Sequence, residues 1–149
     1  MKKLLLGLTL VLMLIIPTNN IHALEENYNT TYYENGYYYE ISITVTNSVA
    51  RSAKEGSKTI YCKNSSGKTL WSITVNGTFT YNGSTSSCTS ASVSTSVVDG
   101  SWKIASKSSS KSGNTAKATA TAHCYLNGNI INRQTKTITL KCSANGKLS

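Results

Sequence analysis

TLWSITVNGTFTYN, Thr69 to Asn82, puts Trp71, Ile73, Val75, Phe79 and Tyr81 on odd positions and Ser72, Thr74, Asn76, Thr78 and Thr80 on even ones. A period of two held over a dozen residues is the pattern of a half-buried β-strand. One face carries aromatic and β-branched side chains, the other hydroxyls and an amide. The apolar face needs a second layer to cover it, which predicts a two-layer β protein with Trp71, Ile73, Val75 and Phe79 in its core. Asn76-Gly77 interrupts the pattern and predicts a bulge or bend.

Working outward, Lys58 to Lys63 reads as a strand with Ile60 and Cys62 on one face, and Asn64 to Gly67 as a turn. After Asn82-Gly83-Ser84, the apolar Ala91, Val93 and Val97 keep odd parity, which a three-residue loop at 82 to 84 would match to the odd face of the central strand. Asp99-Gly100 is the next turn, followed by Trp102 and Ile104 on one face. Ala116, Ala118, Ala120, Ala122 and Cys124 alternate with Thr115, Lys117, Thr119, Thr121 and His123. A row of alanines leaves room for large side chains opposite, Trp71 or Trp102. If Asn127-Gly128-Asn129 is a three-residue turn, Ile138 faces Ala118 and Leu140 faces Ala116, whereas a two-residue turn would turn Ile138 outward. SANGKLS, 143 to 149, reads as a polar tail. Short strands separated by Gly and Asn turns predict an all-β, antiparallel β-sandwich of immunoglobulin-like size over 57–149, with a small open β-barrel as the alternative.

The segment before this body differs in character. Residues 1–23 read as a secretory signal peptide: Lys2 and Lys3, an apolar run from Leu4 to Ile16, then Pro17 and a small residue at Ala23. The run is shorter than the roughly 20 residues that span a bilayer, so the expectation is a secreted, extracellular chain starting at Leu24, with no membrane span after processing. Residues 24–56 form an acidic, tyrosine-rich leader and linker. Six of the nine tyrosines lie there, and Asn35-Gly36 between aromatic residues predicts a hairpin. Those tyrosines suggest a surface that stacks on sugar rings, or an ordinary hairpin. Asn47 to Ser57 reads as a polar connection and a domain boundary.

Charge follows the same division. Of the formal net charge of +9, residues 24–50 contribute −4, while residues 51–149 hold thirteen Lys or Arg against Glu55 and Asp99, giving +11. A basic body points to anionic partners such as wall polymers or surfaces. Lys103, Lys107 and Lys117 are candidate anion-binding residues. With a three-residue loop at 111 to 113, Lys107 would lie across from Lys117, and the three would form a ladder on the outward face.

Enzymatic constellations are missing from the pattern. Glycosidases need a pair of carboxylates, and the body offers only Glu55 in the connection and Asp99 in a turn. His123 is the one histidine outside the signal segment and alternates onto the Thr-rich face, without the acid and nucleophile a triad requires. No metal or cofactor site is expected, and nucleic acid is not favoured as a partner. Cys62, Cys88, Cys124 and Cys142, an even count in a secreted chain, imply two disulfides. Three connectivities are open. Cys88 breaks its strand's parity, which places it at a strand edge or before a bulge. The pairing Cys88–Cys142 with Cys62–Cys124 is favoured.

LWSITVNGTFTYNGSTSSCT (70 to 89), SWKIASKSSSKSGNTAKATATA (101 to 122) and TKTITLKCSANGKLS (135 to 149) resemble small secreted proteins of spore-forming Gram-positive bacteria, a family of unknown function. The resemblance covers about residues 57 to 149. It implies cysteines matching Cys88 and Cys142, which supports that pair and leaves Cys62 with Cys124 as the remainder. It implies no activity. The expectation is therefore a secreted, non-catalytic protein binding an anionic surface or cell-envelope polymer. The alternatives are an antimicrobial or toxin-like protein and a structural matrix component.

Overall fold

The computed structural model describes residues 28–46 and 52–149. The expected signal peptide and the centre of the expected linker lie outside them. Eight strands follow one another: β1 (Tyr28–Glu34), β2 (Tyr37–Thr46), β3 (Ala53–Lys63), β4 (Thr69–Tyr81), β5 (Ser86–Val97), β6 (Trp102–Ser112), β7 (Thr115–Leu126) and β8 (Asn129–Lys141). They form two antiparallel sheets, β1-β2-β3-β4-β5 and β6-β7-β8, each a meander in sequence order. The fold is thus all-β and sandwich-like. The sheets do not close into a barrel. At the β5–β6 seam, side chains take the place of a backbone ladder: Lys111 Nζ donates to Thr89 O at 2.6 Å and Ser109 Oγ to Ala91 O at 3.4 Å.

The central strand is as expected. Trp71, Ile73, Val75 and Phe79 are fully buried, and the Trp71 ring stacks on Trp102 with centroids 6.2 Å apart. The alanines of β7 are buried too, so the second sheet approaches closely. Gly77 marks no bulge. It pairs with Gly56 on β3 and Ala91 on β5, and the ring of Phe79 lies over its bare backbone.

Registers differ from expectation at the turns, and bulges restore the phase. The β4–β5 loop has four residues, not three, because Tyr81 pairs with Ser86. An extra residue, Thr89, then brings Val93 opposite Val75 and Val97 opposite Trp71. That bulge is also what turns Cys88 inward, as its parity required. The β7–β8 turn has two residues, Asn127 and Gly128, at φ 50° and 80°. Ile138 nevertheless faces Ala118, because Ile131 is an extra residue between Asn132 and Ile130. A bulge adds one residue to one strand and so converts one loop parity into the other.

Two boundaries move. The tyrosine-rich segment is not separate from the body: β2 pairs with β3 from Tyr38↔Lys63 to Thr46↔Glu55, and β3 begins at Ala53, inside the expected connection. The hairpin at Asn35-Gly36 forms as predicted, with both residues at positive φ. The 143–149 segment is no loose tail. It turns back through Ser143 N to Lys147 O at 2.8 Å and bridges Cys142 to Leu148, whose side chain is buried against Gly56.

Candidate functional site

The outer face of the three-stranded sheet follows from the alternation of β7. Its even residues go inward as the alanine row, so its odd residues go outward with their cross-strand partners. Reading across β6, β7 and β8, the rows are Ser112–Thr115–Lys141, Ser110–Lys117–Thr139, Ser108–Thr119–Thr137, Ser106–Thr121–Thr135 and Lys103–His123–Arg133. Of these fifteen positions, ten are Ser or Thr, five are basic, and none is a carboxylate. Thr119 and Thr121 bond hydroxyl to hydroxyl with Thr137 and Thr135, each at 2.9 Å. These bonds hold β-branched side chains in one rotamer.

Three basic side chains share the last of these rows. Neighbouring strands lie about 4.8 Å apart, so Lys103, His123 and Arg133 span about 10 Å. Lys103 and Arg133 flank His123, so an anion laid across the row would meet both charges. Aromatic contacts fix the row from one side: Lys103 Nζ lies 5.2 Å from the centre of the Tyr125 ring, and His123 lies 6.4 Å from the same ring.

The expected ladder does not form. The β6–β7 turn has two residues, Gly113 and Asn114, so Lys117 faces Ser110, not Lys107. An extra residue at Ala105 then reverses the phase of β6. Lys103 and Lys117 point outward from rows far apart along the sheet, while Lys107 stands opposite Ala120 on the side facing β5. The expected pairing of Ile138 with Ala118 already sets Arg133 opposite His123, and what parity missed was the turn length and bulge that bring Lys103 into their row. Neither the turn length nor the bulge carries a sequence signal strong enough to choose it.

The four cysteines are thiols, each buried and none bonded to another, which corrects the expected disulfides in this state of the chain. Burial suits a thiol as a small apolar group with weak hydrogen-bonding needs. Cys88 Sγ is 3.2 Å from Ser90 O, Cys142 Sγ 3.4 Å from Ser143 O and Cys124 Sγ 3.8 Å from Ser101 Oγ. Cys88 and Cys142 nonetheless meet at one turn. Cys88 N donates to Gly113 O at 2.8 Å, and Cys142 N donates to Asn114 O at 3.0 Å. Burial raises the pKa of both thiols, and Cys142 also feels Cys88.

A buried polar cluster joins the sheets at the other end. Tyr39 hydroxyl donates to Gln134 Oε1, and Cys62 Sγ is 3.7 Å from the same oxygen. Lys136 Nζ sits 3.7 Å from the centre of the Tyr39 ring and pairs with Glu34. Burial pushes the Cys62 thiol up to about 11 and Tyr39 far above the usual phenol range. Gln134 Nε2 and Trp71 Nε1 are buried donors without a partner.

Carboxylates are tied to lysines, Glu40 to Lys63 and Asp99 to Lys68 at 3.3 Å. Hydrogen bonds from Ser101, reinforced by Lys68, hold the Asp99 carboxyl below its ordinary range. Glu55 borders a shallow depression with Asn76, Thr78, Ser90 and Ser92. Among the described residues, no three His, Cys, Asp or Glu side chains group closely enough to hold a metal ion. No protein-family model matches the chain, and no curated protein or solved structure is similar enough to count as a relative.

Proposed function

We propose that this is a secreted, non-catalytic binding protein that lays the outer face of its three-stranded sheet on an anionic surface, such as a cell-envelope polymer. One observation carries the reading: fifteen outward positions hold ten hydroxyls, five basic side chains and no carboxylate. A hydroxyl lattice with basic side chains at its two ends suits a polyanion, with cations meeting the charges and hydroxyls bonding the groups between them. The non-catalytic part rests on the carboxylates engaged by lysines and on His123 having basic, not acidic, neighbours in its row.

The test is retention of the secreted protein on a sulfated dextran column under a salt gradient. Wild type should be retained and elute with salt. K103Q/R133Q should elute substantially earlier while melting at the same temperature. Equal elution of variant and wild type would sink the assignment of this face. The second reading, a toxin-like or antimicrobial protein, draws on a different observation: the apolar residues exposed at one end of the sandwich.

A further inference from the structure

The meander sends alternate connections to opposite ends. The Asn35-Gly36 turn, the 64–68 turn, the 98–101 connection and the Asn127-Gly128 turn share one end. Every large hydrophobic residue that is exposed among the described residues belongs to this end: Tyr33, Tyr38, Val97, Val98, Leu126, Ile130 and Ile131. The opposite end, with the 82–85 loop, the Gly113-Asn114 turn and the 143–149 segment, has none and is closed by Leu148. Single exposed apolar residues need no explanation, but seven gathered at one end do.

Their shape and surroundings select the partner. Leu126 and Ile131 are 58% and 59% exposed where β7 and β8 run on past the Trp102 start of β6. A hairpin end that outruns its neighbouring strand finds full burial only in a partner that yields around it. Behind the tip comes the Tyr125–Ile130 pair, and behind that the Lys103–His123–Arg133 row. With about 3.4 Å of rise per residue, the basic row lies about 7 Å behind Tyr125 and about 10 Å behind Leu126. Behind the polar Asn127-Gly128-Asn129 apex, aliphatic side chains, aromatic ring and cations follow in the order of the acyl boundary, interface and phosphate levels of a bilayer, where docked apolar faces sit about 5–10 Å deep. The acidic residues at this end do not oppose such docking, because Glu34, Glu40 and Asp99 are each paired with a lysine.

We infer that the Asn127-Gly128 hairpin is a membrane-docking tip that inserts Leu126, Ile130 and Ile131 into a bilayer rich in anionic phospholipid while Lys103 and Arg133 hold the phosphates. The inference rests on the proposed anion-binding face and names its partner. It describes docking, since no helix among the described residues is long and apolar enough to cross a membrane.

The experiment is co-sedimentation of the secreted protein with phosphatidylglycerol vesicles and with phosphatidylcholine vesicles, beside the dextran column. Wild type should bind the anionic vesicles and not the neutral ones. L126S/I131S, altered only at exposed positions, should lose about tenfold or more in vesicle affinity and keep its elution from dextran. K103Q/R133Q should lose both. Equal vesicle binding by L126S/I131S overturns the inference, as does retention on dextran with no vesicle binding, which leaves the polymer reading standing. If the tip variant only converts a dimer to a monomer and binds vesicles as before, the tip is a contact between copies and the inference falls. Failure of wild type on both dextran and vesicles removes the anion-binding reading as well.

Discussion

Gly56 and Gly77 face each other across β3 and β4, and each bare backbone is covered by a side chain: Leu148 of the 143–149 segment over Gly56, and the ring of Phe79, two residues along the same strand, over Gly77. A Cβ built on Gly56 would lie 2.3 Å from Leu148 Cδ1 and 3.0 Å from the backbone oxygen of Thr44. One built on Gly77 would lie 2.6 Å from two Phe79 ring atoms and 3.1 Å from Ala116 Cβ. The glycine pair is therefore a socket that lets the 143–149 segment and the second sheet approach.

Filling the socket should destabilise the fold. Overpacking of this kind costs about 1–3 kcal/mol, so G56A and G77A should each lower the urea midpoint. Leu148→Ala should cost about 2–5 kcal/mol as a buried Leu truncation. G56A/L148A should cost less than the two single changes added, since the alanine methyl takes space that Leu148 vacates. Strict additivity in that cycle would show that the two residues do not share the site.

Trp71 should be the costliest residue to truncate. It is fully buried and stacks on Trp102, so Trp71→Ala should cost about 3–5 kcal/mol, a large part of the stability of an ordinary domain. Trp71→Phe should cost less, because it also removes the indole N–H that has no partner. A Trp71→Ala protein melting like wild type would contradict the central place of β4.

How much of this was legible follows from where the physics is local. Alternation around Trp71 and along Ala116 to Cys124 is written residue by residue, so the strands, the buried faces and the Asn35-Gly36 hairpin could be read. Loop length and bulges are decided by packing between sheets. Thr89, Ala105 and Ile131 look like any strand residue, yet each shifts the phase of everything beyond it. The core pairs of β8 came out right by an incorrect turn, because two-plus-bulge and three have the same parity. On β6 the same effect moved Lys107 off the outward face and brought Lys103 into the row of His123 and Arg133. Leu148 was missed because one apolar residue among SANGKLS has no periodicity to reveal its burial.

Stability should fall in alkali, and Cys62 should set where the fall begins. Burial raises its thiol from 9.0 to about 11, against smaller lowering effects from Tyr39 and Lys136. Below pH 9 the folded and unfolded chains both keep the proton. Between 9 and 11 the unfolded chain releases it and the folded chain does not, so stability declines with rising pH. Buried Tyr39, whose phenol is also raised, extends the decline above pH 10. Urea midpoints from pH 8 to 10.5 should show this slope, and Cys62→Ala should reduce its first part, to which the buried Cys88 and Cys142 thiols also contribute. A wild-type profile already flat between pH 9 and 10 would mean that no titrating thiol is present at position 62.

The register of β6 makes the sharpest demand on the anion-binding face. Lys107 carries the same charge as Lys103 but stands opposite Ala120, towards the seam with β5, whereas Arg133 completes the outward row with His123 and Lys103. Each single change to Gln removes one positive charge, so any effect of net charge alone must be equal in the two variants. K107Q should therefore elute from sulfated dextran nearly with wild type, and R133Q clearly ahead of both. Neither change should alter stability by more than about 0.5 kcal/mol, as expected for exposed substitutions. Salt screens long-range attraction beyond about 10 Å at 0.1 M, so the difference should persist at moderate salt if contact, not overall field, is what retains the protein. Equal elution of K107Q and R133Q would mean that the whole basic body attracts the polymer and that no row of the sheet is its site.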